Sequence, residues 1–302
     1  MRALFLSLLA LSACGGNWSN QDLEFLNAMP SKDALESKLP QPKSGLSGVN
    51  TRQQALMVGD PSTTYRDTRG ASATFNAALE FILGTLEAVR SIEPTQRTKD
   101  SRIWGPYDDR ANMGFEFQIT ITRVSATSFS FSFQHRKKGG TFFTSVSGTF
   151  QPSATLRRGR GELQINFKEA AQLPSAAVFQ GVDQAHVAYV TDSYPTRVEI
   201  TFTTAPNAVV TSGNFTYREQ EDGAGQFRFN LKGPNADISS LDTLAAWKPS
   251  GAGKAVTTVT DGNFKGAQQT ECWSDTFTVV YATQNWPNGV TVGDAATCAT
   301  VP

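Results

Sequence analysis

The stretch Phe115-Glu116-Phe117-Gln118-Ile119-Thr120-Ile121-Thr122 alternates without a break between an apolar and a polar side chain. A period of two belongs to a strand with one face buried and the other in water. The pattern returns in Phe129, Phe131 and Phe133, set between Ser128, Ser130 and Ser132, and in Leu163, Ile165 and Phe167, set between Glu162, Gln164 and Asn166. Val198, Ile200 and Phe202, then Phe215 and Tyr217, then Phe227, Phe229 and Leu231, and last Phe277, Val279 and Tyr281 each keep one parity. Runs near Thr141 to Gln151, His186 to Thr191, Leu241 to Lys248 and Lys254 to Asp261 read as further strands.

Turn signals separate these runs: Lys137-Lys138-Gly139-Gly140, Arg158-Gly159-Arg160-Gly161, Glu221-Asp222-Gly223-Ala224-Gly225 and Asn288-Gly289. Glycine and small polar residues in such clusters fold neighbouring strands back as hairpins. The expected fold is therefore mainly β, a large curved antiparallel sheet or open barrel of roughly eight to eleven strands, since that many do not stay flat.

One helix stands out. Between about residues 72 and 92, Phe75, Leu79, Ile82, Leu83, Leu86 and Val89 recur every three or four residues and make one apolar stripe, and Pro94 ends the run. Such a stripe needs a surface, and the apolar face of the sheet supplies one. Upstream, Ser19-Asn20-Gln21-Asp22 reads as a helix start for Leu23, Leu26 and Met29, and Pro30-Ser31 opens a second short turn with Leu35 and Leu39. Pro40-Gln41-Pro42-Lys43-Ser44-Gly45 reads as linker. Residues 14–70 are accordingly expected to be a tether with short helical pieces, and residues 71–302 a single helix-plus-sheet domain.

The first thirteen residues are of another kind. Met1-Arg2 gives one positive charge, and Ala3 to Leu11 is an apolar run of signal-peptide length, too short to span a bilayer. Leu11-Ser12-Ala13-Cys14 resembles the bacterial lipobox. That resemblance implies a signal peptide over residues 1–13, cleavage before Cys14, and a diacylglycerol on the Cys14 thiol. Gly15, where an Asp would favour retention at the inner membrane, implies the outer membrane if the organism has one. The expected location is the bacterial cell envelope, with the membrane as partner through the lipid anchor. The plan of a lipoprotein with a helix facing a curved sheet also resembles the half-barrel carriers and lipoprotein chaperones of bacterial envelopes, in architecture alone.

Cys272 and Cys298 remain, in a chain exported to a compartment where disulfides persist, and they are expected to pair. The chain carries 27 basic and 27 acidic side chains. Removing Arg2 with the leader leaves a net charge of about −1, so no strong field attracts nucleic acid.

Motifs for chemistry are sparse. Lys248-Pro249-Ser250-Gly251-Ala252-Gly253-Lys254-Ala255-Val256 has the glycine and lysine of a phosphate-binding loop, but Lys248 stands where its first glycine belongs and Ala255 where its hydroxyl belongs, so a hairpin turn is expected. No nucleophile elbow is present, and only His135 and His186 offer an imidazole. Asp108-Asp109 lacks the alternating oxygen ligands of a calcium loop and reads as a polar turn, while Trp104 and Tyr107 beside it either line the mouth of a pocket or cap the core. With two histidines and no CxxC or HxxxH spacing, no metal site and no cofactor are expected.

The Phe-rich face is the most informative candidate. Phe117, Ile119, Phe131, Ile165 and Phe229 either fill the curve of the sheet or line a cavity for an apolar ligand. The expected role is a non-enzymatic envelope module that holds an apolar ligand, an envelope protein or a surface glycan. A structural or adhesive surface lipoprotein whose Ser/Thr-rich faces meet proteins or glycans is the alternative, and a hydrolase is the third.

Overall fold

The structure is a computed structural model that describes residues 19–41, 57–175, 181–204, 212–232, 236–286 and 288–302. The signal segment, Cys14 and most of the linker run lie outside these residues. Four α-helices are described: α1 (Asn20–Ala28), α2 (Lys32–Leu35), α3 (Thr63–Val89) and α4 (Phe167–Ala170). The strands are β1 (Gln96–Arg97), β2 (Ser101–Asp108), β3 (Phe115–Ser125), β4 (Ser128–Lys137) and β5 (Phe143–Pro152). They continue with β6 (Gly159–Asn166), β7 (Val182–Val190), β8 (Thr196–Thr204), β9 (Ser212–Glu219) and β10 (Gly225–Lys232). The last are β11 (Ser240–Trp247), β12 (Gly253–Asp261), β13 (Gln268–Trp273), β14 (Val279–Gln284) and β15 (Val290–Gly293).

All fifteen strands form one antiparallel sheet in sequence order, and β1 and β15 are not joined. The fold is thus mainly β and open, with more strands than the eight to eleven expected. The additional strands are β1, β2, β13 and β15. Periodicity misses them for physical reasons: β1 and β15 are two and four residues long, β2 carries Gly105-Pro106 inside it, and β13 buries the charged Glu271 on its inner face. One parity is also corrected. Val280 forms a bulge against Cys272 and Trp273, so Val279 pairs with Trp273 on the inner face while Tyr281 pairs with Cys272 on the outer.

The long helix starts earlier than expected. α3 begins at Thr63, not near residue 72. Its buried stripe continues upstream of Phe75 through Thr64, Tyr65, Thr68 and Ser72, residues that an apolar count passes over. Thr68 Oγ1 donates to the Thr64 carbonyl at 2.7 Å, which satisfies the buried hydroxyl within the helix. Of the expected stripe, Phe75, Leu79, Leu83, Leu86 and Val89 are buried; the side chain of Ile82 lies outside the described residues. Each such burial contributes about 1.5–3 kcal/mol.

At about 40 Å long, α3 crosses the inner face of the sheet. Tyr65 stacks on Phe277 at 4.3 Å and meets Trp273 at 5.7 Å. Phe75 touches Phe227 at 5.6 Å and Phe215 at 6.4 Å. Just past the helix the Ile92 carbonyl accepts the indole N–H of Trp104 on β2 at 2.8 Å. The N-terminus is fixed by a buried carboxylate: Glu271 on β13 accepts from Ser62, from Thr63 Oγ1 at 3.0 Å and from the Thr64 amide at 3.3 Å. The Thr64 amide is one of the donors that a helix start leaves open, the two hydroxyls add to it, and the helix dipole favours the negative charge there.

The segment read as tether behaves differently over residues 19–41. Its two helices form, but Phe25, Leu26, Met29, Leu35 and Leu39 are buried in the same core cluster as the strands. Ser37 is tied to α3 by its amide on Asn76 Oδ1 at 2.8 Å and its hydroxyl on Ser72 at 2.6 Å. These residues belong to the folded body.

Close packing on the inner face needs small residues. A Cβ at Gly225 would stand 2.6 Å from the Trp247 ring, and one at Gly253 2.5 Å from the Trp273 ring, so only glycine lets those indoles lie flat on the neighbouring strand. Cys272 and Cys298 form the expected disulfide, with Cα atoms 5.4 Å apart and a sequence separation of 26. A loop of that length stabilises by about 3.5 kcal/mol on the chain-entropy account. The bond pins the segment after β15 onto the outer face. Thr297 Oγ1 donates to the Val280 carbonyl at 3.4 Å, and Gln226 Nε2 donates to the Pro302 carbonyl at 2.6 Å.

Candidate functional site

The inner face is where the sequence placed a possible cavity. Ile119, Phe131, Ile165 and Phe229 are buried in one continuous cluster, and Phe117 is half-buried against it. Strand neighbours and helices both reach them. Phe131 packs on Phe150 at 5.6 Å and Phe117 on Phe133 at 5.8 Å, while Phe25 of α1 meets Phe129 at 5.3 Å. Phe25, Leu26 and Met29 of the α1 region, Leu35 of α2 and the α3 stripe belong to that same cluster. The five residues are thus brought to one face, and the chain's own helices cover them.

The second cluster joins residues that the sequence singled out separately. Asp109 Oδ2 stands 3.8 Å from His135 Nε2, and His135 Nδ1 is 3.0 Å from Ser145 Oγ. Ser145 faces inward because it is the extra residue of a bulge: Val146 pairs with Phe133 and Thr144 with Gln134. A Ser, a His and an Asp invite comparison with nucleophilic catalysis, but the hydrogen bonds run the wrong way. The Ser145 hydroxyl donates to the Phe133 carbonyl at 3.1 Å, and both bonds are made when the imidazole Nδ1–H donates to Ser145 Oγ, the reverse of what a general base needs. Asp109 is committed to its own turn, accepting from the Ala111 amide at 3.0 Å and from Asn112 Nδ2 at 2.7 Å. Ser145 is wholly buried, and burial lowers the His135 pKa to about 4 against the opposing pull of Asp109. The arrangement holds a neutral imidazole in the fold.

Elsewhere each candidate has a local partner. Asp108 pairs with Lys138 at 2.7 Å, and His186 lies on the outer face 3.4 Å from Glu162. Trp104 is buried in the core, and Tyr107 packs on Phe117 at 5.7 Å. Lys248 to Ala252 forms the hairpin turn expected of the glycine-rich stretch, closed by the Gly251 amide on the Lys248 carbonyl at 2.9 Å. Among the described residues no group of three His, Cys, Asp or Glu side chains could hold a metal ion. No described helix is long and apolar enough to cross a membrane.

Sequence reasoning missed the buried ion pair at the first edge. Asp22, inside α1, binds Arg102 and lies 3.1 Å from Arg97 Nε, with both Asp22 and Arg102 buried. Burial alone would push its carboxyl up. The hydrogen bonds from Arg102, from Ser19 and from Arg97 outweigh that and hold the pKa at about 2. The only signal in the sequence was Asp22 three residues after Ser19, a capping box, which is present.

The outer face is polar throughout its middle. One rung runs through Ser132, Ser147, Gln164, His186, Thr201 and Asn214 on β4 to β9. Next to it a shallow groove of about 330 Å³ lies over Ala188 and Val190 of β7, walled by Arg160 and Glu162 on one side and Arg197 and Glu199 on the other. Its charges are internally matched, Arg160 on Asp192 at 2.6 Å and Arg197 on Glu199 at 2.5 Å. The chain matches no protein-family model, no curated protein and no solved structure.

Proposed function

We propose that this chain is a lipid-anchored module of the bacterial envelope, without catalytic chemistry of its own, that meets its partners with its outer surfaces. One observation carries the reading. The face expected to line an apolar cavity is covered by α1, α2 and α3, and four of its five named residues are buried among their side chains and those of the strands. The lipobox-like Leu11-Ser12-Ala13-Cys14 supports the anchor, and Gly15 supports the outer membrane.

Native mass spectrometry tests the choice of surface. The chain from Cys14 to Pro302, with Cys14→Ser to remove the lipid, is produced in an oxidising compartment and weighed under native and denaturing conditions. The expected result is the same bare mass in both, two hydrogens short for the disulfide. A few hundred daltons of lipid lost on denaturation would overturn the reading and make the inner face a carrier site.

A further inference from the structure

We propose that the end of the sheet lined by α1 rests against the bilayer that holds the anchor; this builds on the lipid-anchored reading above. The distance along the chain is short. Ser19 is the N-cap of α1, and Cys14 precedes it by only five residues, a reach of about 18 Å even when fully extended. A body held so closely must present one particular surface to the headgroups.

That surface is defined by what α1 touches. Asp22 binds Arg97 and Arg102 at the β1–β2 edge, and Glu24 binds Arg123 at the β3–β4 turn, 2.6 Å apart. Farther along, the Ser31 amide donates to the Arg157 carbonyl in the β5–β6 turn at 3.4 Å, and Arg158 lies 5.5 Å over the Tyr194 ring in the β7–β8 turn. Outward apolar side chains stand along this end: Leu23 of α1 is 43 % exposed, and on the successive tips Val124 is 65 %, Leu156 62 % and Tyr194 44 % exposed.

Isolated exposed apolar residues are ordinary on a protein surface. Here three stand on neighbouring tips of one end beside Leu23 of α1, with Arg157 and Arg158 between two of them, at the place where the lipidated chain enters. Apolar tips, a tyrosine and arginines are the chemistry that settles into a headgroup layer. The opposite end also exposes Met113 and Trp286, but these sit near β2–β3 and β14–β15, many strands apart and away from the anchor.

The test uses the full chain purified with its native N-terminus and reconstituted in vesicles of phosphatidylethanolamine and phosphatidylglycerol, some with brominated acyl chains. Leu156→Trp places a probe on the rim, and Met113→Trp places one at the other end. Fluorescence of Leu156→Trp beyond that of the parent chain is expected to fall by about twofold in brominated vesicles, and that of Met113→Trp to stay unchanged. No added quenching at 156 in a chain whose mass carries acyl groups on Cys14 would overturn the rim proposal while leaving the anchor intact, and would direct the rim to a protein partner. If the mass shows no acyl group, the anchor reading fails by itself; quenching at 156 would then still uphold the rim, and its absence would overturn that as well.

Discussion

Acidification from pH 6.5 to pH 4 is expected to cost the folded state about 3 kcal/mol through His135 alone. The sign follows from where the proton binds. Unfolded, the imidazole titrates near 6.5; folded, burial lowers it to about 4. Between those values the unfolded chain takes up a proton that the native chain refuses, so stability is complete above pH 6.5 and declines as pH falls through the interval. Urea unfolding midpoints across that range measure the slope. In His135→Gln the slope should flatten by the same amount, although the variant starts less stable at neutral pH because Ser145 Oγ loses the imidazole beside it. Parallel profiles for the two chains would show that His135 takes up its proton freely in the folded protein.

Asp22→Ala should have the larger effect at neutral pH. It leaves Arg102 buried without its carboxylate, a loss of about 3–5 kcal/mol for a broken buried pair. It also unties α1 from the β1–β2 edge, since Asp22 joins Ser19, Arg97 and Arg102. A second acid step belongs to this residue. With its pKa at about 2 instead of 3.8, the contribution of Asp22 is present above pH 3.8 and is lost toward pH 2, a further loss of about 2 kcal/mol that the variant should lack. Denaturant titration of the two chains at neutral pH checks the main effect; a difference under about 1 kcal/mol would place the pair among ordinary exposed salt bridges.

The alternation from Phe115 onward made the antiparallel sheet and most of its strands legible, because a period of two persists wherever one face is buried and the other wet. It failed where that condition failed. β13 buries Glu271 because a helix start supplies the donors, a fact that depends on Ser62 and Thr64 more than two hundred residues earlier. Tyr281 turned outward because a bulge at Val280 shifted the register, and Ser145 turned inward for the same kind of reason. The front of α3 was hidden because its buried positions are Thr64, Thr68 and Ser72; the Thr68 hydroxyl bonds the Thr64 carbonyl and the Ser72 hydroxyl bonds Ser37. The role of residues 19–41 was hidden because a short helix does not announce the surface it covers.

Of the candidate site, the pairing of Cys272 with Cys298 was legible from two cysteines in a chain expected to be exported, and the five residues named for the inner face lie in or against one cluster. That α1, α2 and α3 together cover that face was not legible, since it depends on the sheet curving around all three. Asp109 and His135 were each visible, but their approach requires the β2–β3 turn to return beside β4, which no local pattern encodes.

Membrane contact by the proposed anchor depends on cleavage before Cys14 and a lipid on its thiol. The full sequence, expressed in a diderm bacterium and extracted from its membranes, should yield an N-terminal peptide that begins at Cys14 and carries diacylglycerol on its thiol, while Cys14→Ala should abolish that processing. A chain that begins elsewhere, or whose Cys14 thiol is free, would contradict the account.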